Sequence, residues 1–124
     1  MVDTFVRKQR IKPGKTDAVF EWVDELRTEA REDRDGVRAI WDEETLQTLS
    51  LFVEYGDEYD YLVWYIEAED FEQLVEARAK STHPLHELED ELMETLLEDP
   101  TEAGSFEPLF HGVNPDRSTE FVVQ

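Results

Sequence analysis

The sequence predicts one α+β domain with elements in the order β-α-β-β-α-β. Three observations carry that expectation. Stretches with the two-residue period of strands alternate along the chain with stretches of helical period. The two central strand-like runs are separated only by the short polar loop Gly56–Tyr59, which is hairpin spacing. The chain has 124 residues, 40% hydrophobic and 11% aromatic, enough for one core of ordinary size and too apolar for a disordered acidic chain.

Each element has a local reason. Residues 2–11 read as a strand, with Val2, Phe5, Val6 and Ile11 among polar residues, and Pro13–Gly14 ends it. A helix begins near Lys15–Asp17, because Val19, Val23, Leu26 and Ala30 recur at helical spacing. Asp33–Gly36 reads as a break or kink. Val37, Ile40 and Trp41 resume the helical pattern to about Glu44, although Val37–Trp41 also suits a strand. Leu46–Tyr55 is strand-like, with Leu49, Leu51, Val53 and Tyr55 on one face. Tyr61–Glu67 returns as its partner. Asp70 is placed to cap a helix carrying Phe71, Leu74 and Val75, which stops near Ser81 because Pro84 disfavours helical geometry at His83. A second helical segment opens with that proline and carries Leu85, Leu88, Leu92, Met93 and Leu96 until Asp99–Pro100. Phe106–Val113 reads as the last strand.

This order is that of a ferredoxin-like sandwich, with helices on one face of an antiparallel sheet. The domain spans residues 1–113, and residues 114–124 form a tail whose Phe121-Val122-Val123 could add an edge strand. The open face of such a sheet is normally polar. Here Leu62, Trp64 and Ile66 point one way while Tyr61, Val63 and Tyr65 point the other, so the hairpin is apolar on both faces. The economical cover for the second face is the same face of another copy, giving a two-fold homodimer.

Charge bounds the environment. There are 32 acidic residues against 12 basic ones, a formal net charge of −20, and the excess runs through both halves of the chain. Such a surface opposes binding to nucleic acid or an anionic membrane. Lysine is confined to Lys8, Lys12, Lys15 and Lys80. At about 1 M salt the Debye length falls to about 3 Å, which screens self-repulsion, so the composition suits a salt-in halophile of haloarchaeal type. An acidic protein of ordinary salt habitat is the plainer alternative. The chain has no cysteine, which excludes disulfides and thiolate sites. Without an apolar run of membrane-spanning length or a signal-peptide core, a cytoplasmic protein is expected.

Three motifs carry a family resemblance: Ile11-Lys12-Pro13-Gly14-Lys15, Tyr61-Leu62-Val63-Trp64-Tyr65 followed by Ala68-Glu69-Asp70, and Lys80-Ser81-Thr82-His83-Pro84. Together they resemble an uncharacterised family of bacteria and haloarchaea over about residues 4–98. The element order resembles the dimeric α/β-barrel superfamily, which includes mutarotase-like proteins and small cofactor-free monooxygenases. The resemblance implies fold more than function. It implies no cofactor and carries over no catalytic residue.

His83 is the candidate catalytic residue. It stands where a helix begins, which lowers an imidazole's pKa and suits proton shuttling. The plainer reading is a histidine that caps and packs. His83 and His86 share a helical face with Glu87 and Asp90 nearby, a weak metal pattern, and no metal site is expected. Arg7, Lys8, Arg10, Lys12 and Lys15 gather five of the twelve bases at the first strand. Lys8 and Arg10 share one strand face, Arg7 and Gln9 the other. The expected ligand-binding set is Lys8, Arg10, Trp64, Tyr65 and Lys80, with aromatic packing and salt-bridging as the plainer roles. Two functions follow: a cofactor-free enzyme or binder acting on a small molecule, or a non-catalytic dimeric module with a filled core.

Overall fold

A computed structural model describes residues 2–98, 104–117 and 123. Strands β1 (Asp3–Arg10), β2 (Leu46–Glu54), β3 (Tyr61–Ala68) and β4 (Gly104–Ser105) form one antiparallel sheet in the order β2-β3-β1-β4. Helices α1 (Thr16–Glu32), α2 (Arg34–Glu43), α3 (Phe71–Lys80) and α4 (Pro84–Thr95) complete an α+β architecture. No helix among the described residues is long and apolar enough to cross a membrane.

The register decides which side chains meet. Arg7 stands opposite Trp64, and Gln9 opposite Leu62. On the other side of β3, Leu51 stands opposite Trp64 and Val53 opposite Leu62. Side chains alternate between sheet faces, so Phe5, Arg7, Gln9, Leu49, Leu51, Val53, Leu62, Trp64 and Ile66 share one face. The main core, Ile11, Val19, Trp22, Leu62, Trp64, Leu92 and Leu97, lies between that face and the helices. The Trp22 indole N–H donates to Leu88 O at 2.7 Å and ties α1 to α4. A smaller cluster, Ala30, Val37 and Leu85, joins α1, α2 and α4, with Val123 packed against it.

The helix boundaries follow from local chemistry. Gly14 has φ +73°, a left-handed turn that ends the approach to α1. Asp33 separates α1 from α2 and caps α2, its carboxylate accepting from Gly36 N at 3.2 Å. A Cβ at Gly36 would collide with that carboxylate, so the cap requires glycine there. Residues 37–43 are therefore helix rather than strand. Asp70 caps α3 through the Glu72 and Gln73 amides, and Pro84 opens α4.

The last strand differs from expectation. Phe106–Val113 is not a strand. The edge of β1 is occupied earlier, by an Ile11–Leu97 bridge, a Glu98 N to Arg10 O bond of 2.8 Å, and the two-residue β4 opposite Arg7 and Lys8. The β4 register would carry residues 106–109 along Val6–Asp3, but Pro108 has no amide N–H to give to a ladder, and the pairing ends at Ser105. Leu109 and Phe110 are more than 90% exposed. The expected stop at Asp99–Pro100 and most of the expected edge strand at 121–123 lie outside the described residues.

Candidate functional site

The first-strand bases are divided between the two faces of the sheet. Lys8 and Arg10 lie on the face away from the helices. The Lys8 ammonium is 2.9 Å from Glu54 Oε1 and 4.1 Å from the Tyr61 ring centre, and the Arg10 guanidinium lies 4.4 Å from that of Tyr59. Tyr65 shares this face, with its hydroxyl 3.4 Å from His111 Nδ1. Glu67, only 2% exposed in its side chain, receives His111 Nε2 at 2.6 Å and Arg117 at 3.2 Å, which pins the 106–117 segment to the sheet. Burial, then the Glu67 charge, pushes the Tyr65 phenol upward.

His83 and Lys80 lie elsewhere. The His83 Nδ1 accepts from Leu85 N at 3.0 Å, and its Nε2 meets Asp33 Oδ2 at 2.8 Å. Both ring nitrogens are thus engaged, one capping α4 and the other joining it to the α1–α2 junction. The His83 bond, then the Gly36 amide, holds the Asp33 carboxyl below its ordinary value. Lys80 is exposed at the end of α3. The structure does not bring His83, Lys80 and the Lys8–Arg10–Tyr65 group together, and of the expected ligand set only Trp64 faces the helices.

A different group gathers around Trp64. The Arg7 guanidinium lies 5.4 Å from its ring centre. The buried atoms Arg7 Nε, Gln9 Nε2 and Oε1, and Trp64 Nε1 have no hydrogen-bond partner. Burial lowers the Arg7 pKa, while the Glu89 charge acts in the opposite direction. Glu89 links this group to the helices. Burial pushes its carboxyl up, opposed by Arg78 and His86, with Glu44 adding to the rise. Arg78 donates from Nε to Glu89 Oε2 at 3.0 Å, and from Nη2 to Asp90 Oδ1 at 2.8 Å and His86 O at 3.2 Å.

His86 and Glu44 complete the group. Their Nε2 and Oε1 atoms are 2.8 Å apart, with side-chain exposures of 4% and 6%. The two atoms lie close without the alignment of a hydrogen bond, and His86 Nδ1 and Glu44 Oε1 are both left without a hydrogen-bond partner. Glu44 enters the interior at a strained corner. The next residue, Thr45, has φ +59°, which is costly for a β-branched residue. The conformation is held by Asp70 N donating to Thr45 Oγ1 at 2.9 Å, and by Glu69 N donating to Thr45 O at 3.0 Å.

Arg7, Gln9, Glu44, Arg78, His86 and Glu89 were not prominent as sequence candidates. The legible signal was the β1 face itself: Phe5, Arg7, Gln9 and Ile11 place two polar residues between two apolar ones on the core side. His86 and Glu89 at i and i+3 share a helix face. Among the described residues, no group of three or more His, Asp or Glu residues is arranged to hold a metal ion.

The fold and this interior define an α+β protein whose polar cluster is enclosed between sheet and helices. By sequence, the chain belongs to a family of unknown function, DUF6176, whose model matches residues 2–117. No curated protein and no solved structure matches the chain significantly.

Proposed function

We propose that this is a salt-adapted cytoplasmic protein of the ferredoxin-like, dimeric α/β-barrel type, which binds or transforms a small polar molecule between its sheet and helices. One observation carries the reading. Six buried polar atoms of Arg7, Gln9, Glu44, Trp64 and His86 lack hydrogen-bond partners within the protein. Each unsatisfied buried polar group costs about 1–3 kcal/mol, and native interiors tolerate few of them. Small polar ligands with both donors and acceptors, or water standing in for them, would satisfy such atoms. Arg7 and Trp64 offer N–H groups, and Gln9 offers both kinds. His83 serves by holding α4 to the α1–α2 junction.

The dimer reading uses the other sheet face. Phe52 is 57% exposed there, beside Val63, Tyr61 and Tyr65. A second copy meeting this face would cover it and place Lys8 and Arg10 near the two-fold axis. Cofactor-free isomerisation or oxidation fits the interior group. A non-catalytic module acting through protein partners is favoured instead by the exposed Leu109 and Phe110.

A screen of sugars, carbonyls and phenols in molar KCl, read by the Trp64 indole N–H resonance, tests the proposal. A saturable shift that Arg7→Met abolishes and His83→Ala retains is expected. If no compound moves that resonance and a high-salt crystal structure shows a dry, filled interior, the reading fails. Light scattering that gives a monomer in molar salt overturns the dimer.

A further inference from the structure

We propose that residues 106–113 form an arm that clasps a second copy of the chain, with Leu109 and Phe110 of each subunit seated on Phe52 and Val63 of the other. This rests on the dimer proposed above and names the residues that hold it together.

The arm is tied down on both sides of its apolar pair. Before the pair, Pro108 shares a surface groove with Phe5 and Phe71. After it, His111 meets Tyr65 and Glu67, and Arg117 meets Glu67 as well. Asn114 turns the chain between these two contacts. Its side-chain oxygen accepts from Asp116 N at 2.9 Å, and its backbone oxygen from Arg117 N at 3.1 Å. Leu109 and Phe110 stand between the anchors, 91% and 92% exposed. Two adjacent large apolar side chains on an anchored segment, touching almost nothing of their own subunit, have the character of an interface anchor.

The receiving surface lies on the same sheet face. Glu67, Tyr65 and Val63 point to one side of β3, and Phe52 stands opposite Val63 on β2. The arm crosses this face at Tyr65 and Glu67 and leaves Phe52, 57% exposed, and half-buried Val63 uncovered. The face therefore has a raised apolar ridge at one end. Its bare apolar patch lies four residues away along β3, about 13 Å at strand spacing. A two-fold rotation lays the ridge of each copy on the patch of the other, which is the self-complementarity an isologous dimer requires.

Charge selects a second copy as the occupant. This face and the arm carry Lys8, Arg10 and Arg117 against Glu54, Glu67, Glu107 and Asp116, three bases to four acids and a balance of −1. The rest of the chain carries the other −19. Two such chains repel through the rest of their surface and meet here with little repulsion. A basic partner would instead be drawn to the acidic remainder and would gain little on this face.

The test uses the full-length protein in molar KCl, followed by light scattering and sedimentation equilibrium. A dimer is expected for the wild type. Replacing Leu109→Ser and Phe110→Ser together should weaken it about a hundredfold or more. The far-ultraviolet circular dichroism should stay unchanged, because both side chains are exposed in the single subunit. Phe52→Ser should weaken the dimer from the receiving side. The chain has no cysteine of its own, which allows a direct readout. Phe110→Cys protein mixed with Phe52→Cys protein and treated with a short bismaleimide should yield a product containing one chain of each, identified by mass spectrometry. Single-cysteine chains can join only between subunits. A monomeric wild type overturns both the dimer reading and the clasp, and leaves Leu109 and Phe110 to a partner of another kind. A dimer whose affinity survives the loss of Leu109 and Phe110, or that gives no mixed product, overturns the clasp and leaves the dimer reading standing.

Discussion

Replacing His86 and Glu44 by leucine, singly and together, should separate stability from function. Both side chains are almost fully enclosed and their facing atoms are 2.8 Å apart. His86→Leu leaves the Glu44 carboxylate enclosed with no facing imidazole, and Glu44→Leu leaves the imidazole without its carboxylate. Breaking such a pair from one side costs about 3–5 kcal/mol. For a chain of this length, 1 kcal/mol moves the melting temperature by about 3–5 °C, so each single change should lower it by about 10–20 °C. The double change removes both halves and two unpartnered atoms, Nδ1 and Oε1. It also fills the space with side chains of similar volume. Pairs replaced in this way are often neutral, or gain about 1–4 kcal/mol. The Arg78 bond to this region is unaffected because it ends on the His86 backbone oxygen. Urea titrations in molar KCl, run as a double-mutant cycle, measure the coupling. A coupling of several kcal/mol with a double variant at least as stable as the parent is expected. Additive single effects would refute the claim that the pair is one enclosed unit.

Three further outcomes follow. Screening of the −20 charge should raise the melting temperature steeply from dilute buffer to molar KCl, and a salt-independent melt would remove the case for salt adaptation. Asp33 has a depressed carboxyl, so its contribution is present above the unfolded value of about 3.9 and is lost as pH falls through the lower folded value. Acid unfolding should therefore steepen below about pH 4 and lose that component in Asp33→Asn, as equilibrium denaturation at stepped pH would reveal. Thr45→Ala keeps the left-handed corner but removes the hydroxyl that accepts from Asp70 N, and should cost about 1–2 kcal/mol in chemical denaturation.

Local signals made most of the fold legible. The Asp70 cap, Pro84 at the start of α4 and the Asp33 break are each decided by a few neighbouring residues. The two-faced hairpin followed from strand alternation alone. The last strand was misplaced: Phe106–Val113 has strand composition, but residues 97–98 and 104–105 meet the β1 edge first, and Pro108 interrupts the run that follows. Where the chain first meets that edge depends on tertiary placement, which a local pattern does not show. The candidate site was partly legible for the same reason. Trp64 could be assigned to a face by its period, and Arg7 with Gln9 to the opposite face from Lys8 and Arg10. Which face meets the helices decides which pair is enclosed, and that depends on the register with β3. Glu44 was hidden by abundance, since one useful carboxylate among 32 acidic residues has no compositional mark.

The distribution of cations argues for the interior site. A chain with 12 basic residues against 32 acidic ones has ample surface carboxylate to pair every cation in water at little cost. Lys8 follows that course, meeting Glu54 on the outer sheet face. Arg7, one residue away, turns inward against Trp64, where burial lowers its pKa and its Nε has no partner. Stability alone does not explain that choice. A leucine or methionine at position 7 would join Leu51 and Trp64 without a desolvation cost, and cores accept such residues readily. Arg78, drawn in against Glu89, Asp90 and the His86 carbonyl, adds a second cation beside the same cluster. One cation, Arg7, is thus committed to a place where burial is costly, with Arg78 paired to two carboxylates beside it. Unpartnered buried atoms occur on the outer face too, at Arg10 Nε and Thr48 Oγ1, but most of them belong to the interior group, and that concentration is what argues for a polar occupant there.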